Sequence, residues 1–190
     1  YRQVYRDADN GLTLLALTGG GIRNLSNNVK PVATLEDLSG MKLRVPGSRM
    51  DAEMWETSGA QPISLPFTEL YTALQTGVAN AFESSISAYV GAKLFEVAPY
   101  HSRTQHQFMV SHITMSRFAF DRLSAEDQEI FLKAAAKASV TGIDRGVEYD
   151  ASLLEPLVAS GKVTVTEVDK TPFIEIIRPL HDKVAAEIGA

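Results

Sequence analysis

The chain has 190 residues, 45% hydrophobic and 22% charged, with a formal net charge of −5, which is the make-up of a globular protein with room for a sizeable core. The acidic balance argues against a nucleic-acid surface, and no apolar run is long enough to span a bilayer. The absence of cysteine removes disulfides, thiolate catalysis and cysteine-based zinc sites together, and fits either the cytoplasm or an oxidising compartment. The first residue is Tyr1 and no signal peptide precedes it, so the chain reads as processed or truncated.

LTLLAL (residues 12–17) is an apolar run ending at Thr18 and three glycines, the pattern of a buried strand followed by a flexible turn, GGGIRNLSNNVK. In PVATLEDLSG, Thr34 and Asp37 approximate a capping box and Gly40 supplies a stop, so a short helical turn is expected. MKLRVPG is the next strand: Met41, Leu43 and Val45 alternate with Lys42 and Arg44, and Pro46-Gly47 ends it. Met50, Met54 and Trp55 have helical spacing and Gly59 closes that helix. QPISLPF predicts a strand, and Thr68 is expected to cap the helix ELYTALQTG, which Gly77 ends. VANAFESS is a strand running into a loop, and ISAYVGAKLFEV a further helix. Strands and helices alternating through short links are the pattern of a parallel α/β sheet.

After Pro99-Tyr100 the text changes. QFMVSHITMS predicts one long strand, and SRFAFDRL leads to Ser124, where S-A-E-D is a capping box. The helix it opens extends to about Ser160, with Gly142 and Gly146 expected to bend or interrupt it. KVTVTEVD alternates as a half-exposed strand, and Thr171-Pro172 opens a final helix with proline at its first position. There is no internal repeat.

The triple glycine has neither phosphate-loop nor dinucleotide spacing, so it reads as a turn. It delivers Arg23 from the carboxyl end of a predicted strand, and Arg44 lies near the same end of the next. Ligands of open α/β sheets sit beyond those ends, and guanidinium matches the two oxygens of a carboxylate. Pattern alone leaves Arg44 divided between a surface charge or internal salt bridge and an anion partner. His101, His106, His112 and His181 lack metal-ligand spacing and read as structural or surface residues. Ser84, Ser85 and Ser87 form no nucleophile elbow. Glu53, Glu56 and Glu69 read as solvated helix faces. Phe67, after Pro66 at a strand-to-helix junction, fits either a cleft wall or core. No acid–base pair, nucleophile with base, or cofactor motif is visible.

PVATLEDLSGMKLRVPGS, GAQPISLPFTELYTALQTGVANAFESS, AKLFEVAPYHSRTQH and RLSAEDQEIFLKAAAKA together resemble the DctP-like solute-binding proteins of tripartite ATP-independent periplasmic (TRAP) transporters. The resemblance runs from about Gly19 to the final helix. It implies a periplasmic two-lobed α/β fold with hinge-crossing strands and a long connecting helix, and part of one N-terminal lobe lacking. A whole member would be about half as long again. By this reading residues 1–105 are mostly one α/β lobe carrying the binding arginine. Residues 106–190 would hold a hinge strand, a lobe-crossing helix and a C-terminal strand and helix.

The resemblance further implies that Arg44 pairs with the ligand carboxylate, that Arg23 is a second arginine near the ligand, and that Phe67 lines the cleft. Where the family reads something like V-D-G-Q-E-N-P, this chain has V-A-N-A-F-E-S-S: Glu83 is retained, and Ser84 replaces an asparagine that helps hold the carboxylate. A hydroxyl has one donor and a shorter reach than an amide. The implied function is capture of a small organic acid for delivery to TRAP membrane subunits, by a monomer or dimer without cofactor or metal. The rivals are a small α/β enzyme acting on an organic anion and a ligand-sensing module.

Overall fold

A computed structural model describes residues 1–189. Helix α1 (Arg2–Asp7), which no sequence signal marked, precedes β1 (Leu12–Asn27). The central alternation is β2 (Lys42–Val45), α2 (Arg49–Thr57), β3 (Gln61–Ser64), α3 (Leu70–Thr76), β4 (Ala81–Ser84) and α4 (Ile86–Gly91). Then come β5 (Tyr100–Ser116), α5 (Arg117–Asp121), α6 (Ala125–Ala159), β6 (Thr164–Glu167) and α7 (Thr171–Ile188).

Local chemistry accounts for most of these boundaries. The Ser48 hydroxyl accepts the Asp51 N–H at 3.2 Å and starts α2, and Ser85 accepts the Ala88 N–H to start α4. Ser124 accepts the Asp127 N–H at 3.1 Å and donates to its carboxylate at 2.7 Å, so the expected capping box is present. Near Thr34 only half a box forms: the Asp37 carboxylate accepts the Thr34 N–H, and the product is a 3-10 turn over Glu36–Leu38. Thr68 caps nothing, because it lies within a 3-10 turn, Phe67–Glu69, that feeds directly into α3.

Two expectations drawn from glycine are overturned. Gly19, Gly20 and Gly21 lie inside β1 rather than in a turn, and the strand continues through Arg23 to Asn27. A Cβ on Gly19 would collide with the Met109 carbonyl and would come within 2.8 Å of the Phe108 ring. Gly21 has a φ of +90°, which glycine adopts without steric cost. Here glycine serves close approach and backbone conformation, not flexibility. Likewise Gly142 and Gly146 do not interrupt α6, a single helix of 35 residues. A Cβ on Gly142 would sit 2.6 Å from the Thr18 hydroxyl, so its glycine permits the helix to lie against β1.

The chain forms two compact units, each discontinuous in sequence: residues 1–22 with 108–152, and residues 23–107 with 153–190. The boundaries fall within β1, β5 and α6. In the first unit, Leu15, Phe120 and Ala135 form a buried cluster supported by Ala16, Ile113, Met115, Leu123 and Leu132.

The strands follow the order β3-β2-β4-β1-β5-β6. Strand β2 is parallel to β3 and β4, β5 is parallel to β6, and β1 is antiparallel to β4. The sheet is therefore mixed, not purely parallel. The helical crossovers α2 and α3 impose the parallel pairings of β2, β3 and β4, whereas no helix links β1 to β4 in that way.

Alternation sorts the second unit's core onto the two sheet faces. Leu25, Leu43, Val45 and Ala81 pack with Trp55 of α2 and with Phe173 of α7. Phe82 faces the other way, with Leu70 and Leu74 of α3, Tyr89 of α4 and Leu154 of α6. Each face thus has its own helical layer.

His101 is 1% exposed, stacked on Tyr89 with ring centroids 5.4 Å apart, and bonded through Nδ1 to the Ser26 hydroxyl at 2.9 Å. Burial, helped by the charge of Arg103, pushes its pKa from 6.5 down to about 4. The unfolded chain takes up this proton at a higher pH than the folded chain, so the associated stability is complete above pH 6.5 and is lost as pH falls toward 4. Urea unfolding across that window should lose a few kcal/mol, on the scale of about 1.4 kcal/mol per pKa unit. His101→Phe should flatten the slope; an unchanged slope would rule out His101 as its source.

Candidate ligand-binding site

Strands β3, β2 and β4 run parallel and end together at Ser64, Val45 and Ser84, where an α/β sheet presents its crevice. Arg44 pairs in register with Ile63 on one side and Phe82 on the other. It shares a face with Lys42 by alternation, yet Lys42 at the start of the strand is exposed and Arg44 is 4% exposed. Its Nε donates to the Leu65 carbonyl at 2.8 Å, and its guanidinium carbon lies 5.8 Å from the Phe67 ring centroid. Among the described residues, none forms an ion pair with Arg44 or engages its two Nη groups. Burial holds its pKa below the ordinary arginine value; the charge of Glu83 opposes this and that of Arg23 adds to it.

Arg23 is bonded to a carboxylate of the protein. Its Nε and one Nη contact the Glu83 carboxylate, and the same Nη donates to the Glu83 carbonyl at 3.2 Å. Leu25 pairs with Glu83 across β1 and β4, so Arg23 and Glu83 share the sheet face opposite Arg44. Burial disfavours the Arg23 cation, but the hydrogen bond and charge of Glu83 outweigh it and raise its pKa. The two arginines feel each other electrostatically, but β4 separates their strands and they do not converge as neighbours in the sheet.

His106, read from sequence as structural or surface, completes this network. Its Nε2 lies 3.3 Å from Glu83 Oε2 and its Nδ1 lies 2.9 Å from the Thr104 hydroxyl. A carboxylate only accepts, so Nε2 carries a proton. The Thr104 hydroxyl also accepts the Leu25 N–H at 3.1 Å. Glu83 is 1% exposed; burial alone would raise its pKa, but the hydrogen bonds from His106 and Arg23 prevail and lower it. The spacing of Arg23, Glu83 and His106 in sequence announces none of this, because three different strands carry them.

Ser84 lies two residues beyond Phe82 on the Arg44 face of the neighbouring strand and is buried. Its hydroxyl donates to the Ser85 carbonyl at 3.1 Å, which leaves lone pairs to accept a hydrogen bond. The candidate site thus places a buried cation and an aromatic ring at the strand ends, with the Ser84 hydroxyl on the same face as the cation.

The family of bacterial extracellular solute-binding proteins, family 7 (DctP), matches residues 2–188. This chain belongs to that family. A curated solute-binding protein of Sulfitobacter sp. (strain NAS-14.1) is 36% identical over 180 residues, covering 94% of this chain and 54% of its own length. A TRAP periplasmic solute-binding protein from Sulfitobacter sp. NAS-14.1, solved with bound α-D-taluronate, superposes with a TM-score of 0.92 at 34% identity, covering 100% of this chain and 61% of that one. Another from Pseudomonas putida F1, with bound D-glucuronate, gives a TM-score of 0.92 at 30% identity, covering 99% and 61%. The chain spans about half the length of the curated relatives it matches. The expected α/β fold of a TRAP periplasmic solute-binding protein is therefore the fold found, and its family is a solute-binding component of transport. Among the described residues, no helix is long and apolar enough to cross a membrane.

Glu83→Gln should remove the charge that holds Arg23 while leaving that guanidinium in place. Losing one partner of a buried pair costs roughly 3–5 kcal/mol, and the urea midpoint should fall accordingly; an unchanged midpoint would show that the pair adds nothing to stability. In the parent chain the Glu83 contribution is present above its ordinary pKa of 4.5 and is lost as pH falls below it.

Proposed function

We propose that the whole protein captures a small organic acid, with a hexuronate as the leading class, and delivers it to the membrane subunits of a TRAP transporter. The observation that carries this reading is Arg44: an arginine 4% exposed as a residue, set at the strand ends, with no carboxylate ion-pair partner among the described residues. A buried cation without a counter-ion is costly, and an anionic ligand supplies one. The Leu65 carbonyl fixes Nε and leaves the Nη edge for two parallel bonds to a carboxylate. Phe67 offers an apolar wall beside it, suited to the ring of a sugar acid. The taluronate and glucuronate bound to the structural relatives support the hexuronate class.

In this reading Ser84 does not replace the family asparagine as a carboxylate donor, because its proton is held by Ser85. It accepts from a ligand hydroxyl instead. Arg23 acts from the far face by holding Glu83, not by direct pairing with the ligand. The protein binds and releases its ligand without turnover, which separates a receptor from an enzyme.

Calorimetry with D-glucuronate and D-galacturonate on the full-length protein tests the role of Arg44. Arg44→Lys keeps the charge but loses the fork, and should weaken binding about tenfold or more, given roughly 1.5–3 kcal/mol per charged hydrogen bond. Unchanged affinity would remove Arg44 from the carboxylate site. Ser84→Asn adds a donor, so it should tighten simple carboxylates that lack hydroxyls; if it weakens them as much as it weakens hexuronates, the assignment of Ser84 as an acceptor fails.

A further inference from the structure

On the Leu43 face of the second unit, away from Arg44, α2 and α7 enclose a cavity of about 300 Å³. Trp55 and Met54 of α2 and Phe173 and Ile177 of α7 form apolar walls, and Lys170 stands at the start of α7. A second hollow shares Met54, His106, Ile177 and His181 with it. No aspartate or glutamate is among the residues lining the first cavity.

We propose that this cavity is a second small-molecule site, distinct from the Arg44 crevice, and that it takes a small aromatic monocarboxylate. The size is at the lower end of ordinary ligand pockets, about 300–1,000 Å³, and admits one substituted ring. Indole and phenyl walls favour edge-to-face contact with an aromatic ring, and the Met54 thioether adds a polarizable surface. The Lys170 ammonium donates to the Gln105 amide oxygen at 2.6 Å. That contact positions the cation with a neutral group, so its charge is not cancelled there, and two of its N–H donors remain. A chamber whose walls are Trp55, Met54, Phe173 and Ile177, with one lysine, two histidines and no acid in its lining, selects an apolar body bearing a single negative head.

The same walls discriminate against the hexuronates of the Arg44 crevice. Of the polar lining, Ser58, Thr104, Gln105 and His106 already bond within the protein, so sugar hydroxyls set against Trp55, Phe173 and Ile177 would lose their water with few partners to replace it. The two sites therefore select opposite ligand bodies while sharing a taste for carboxylate.

Trp55 is the only tryptophan in the chain, so its emission reports on this cavity directly. Titration of the full chain with phenylacetate should change that emission saturably. The response should persist in Arg44→Ala, weaken about tenfold in Lys170→Gln, as expected for a lost charged hydrogen bond, and recover in Lys170→Arg. Ile174 lines the cavity and is 57% exposed, so Ile174→Phe should fill it and abolish the response without disturbing the core. Phenylacetamide should bind the parent chain about as weakly as phenylacetate binds Lys170→Gln. Absence of a saturable response overturns the site. Loss of the response in Arg44→Ala would move the ligand to the strand-end crevice, and indifference to Lys170→Gln would overturn the choice of an anion.

Discussion

The buried carboxylate of Glu83 is the constraint around which the second unit is arranged. It lies on β4, takes Arg23 from β1 and His106 from β5, and so ties three consecutive strands of the sheet through side chains. A carboxylate with so little exposure is tolerable only when charged or strongly donating groups surround it. Glu83 is bonded to Arg23 on the opposite face and reaches Arg44 only through its charge, and among the described residues no carboxylate forms an ion pair with Arg44. The satisfied pair and the unsatisfied cation are two sides of one arrangement.

The sheet supplies the separation that this arrangement needs. The period of two sends Arg44, Phe82 and Ser84 to one face and Leu43, Ala81 and Glu83 to the other. Residues adjacent in sequence therefore enter different environments: Ser84 joins the candidate carboxylate site, while Glu83 joins the layer containing Trp55 and His106. The aromatic contact between Trp55 and His106, with centroids 5.0 Å apart, links that polar network to the apolar helical layer of α2. A polar core residue and a hydrophobic helix face thus share one wall, which is also the wall of the cavity beside α7.

Glycine illustrates where local reading succeeds and where it fails. Gly77 ends α3 with a φ of +76°, as its place after a helical run implied. Gly19 and Gly142 look identical to turn or breaker signals in the text, yet each marks a close approach to a partner more than eighty residues away. Nothing local distinguishes a glycine that frees the backbone from one that makes room for Met109 or Thr18.

By itself the sequence determined the central strand and helix alternation, the Ser124 cap, the run KLRV as a strand, and Arg44 as the residue to watch. Period-two alternation, cap chemistry and the family resemblance of KLRVP and PFTELYTALQTG all act over a few neighbours, so a linear reading captures them. Tertiary structure alone decided that β1 runs on through its glycines to pair antiparallel with β4, that Arg23 belongs to Glu83, and that His106 stands behind both. Those outcomes depend on which strands become neighbours and on how one buried charge is shared. Burial and charge balance are properties of the assembled sheet, and no short stretch of the chain contains them.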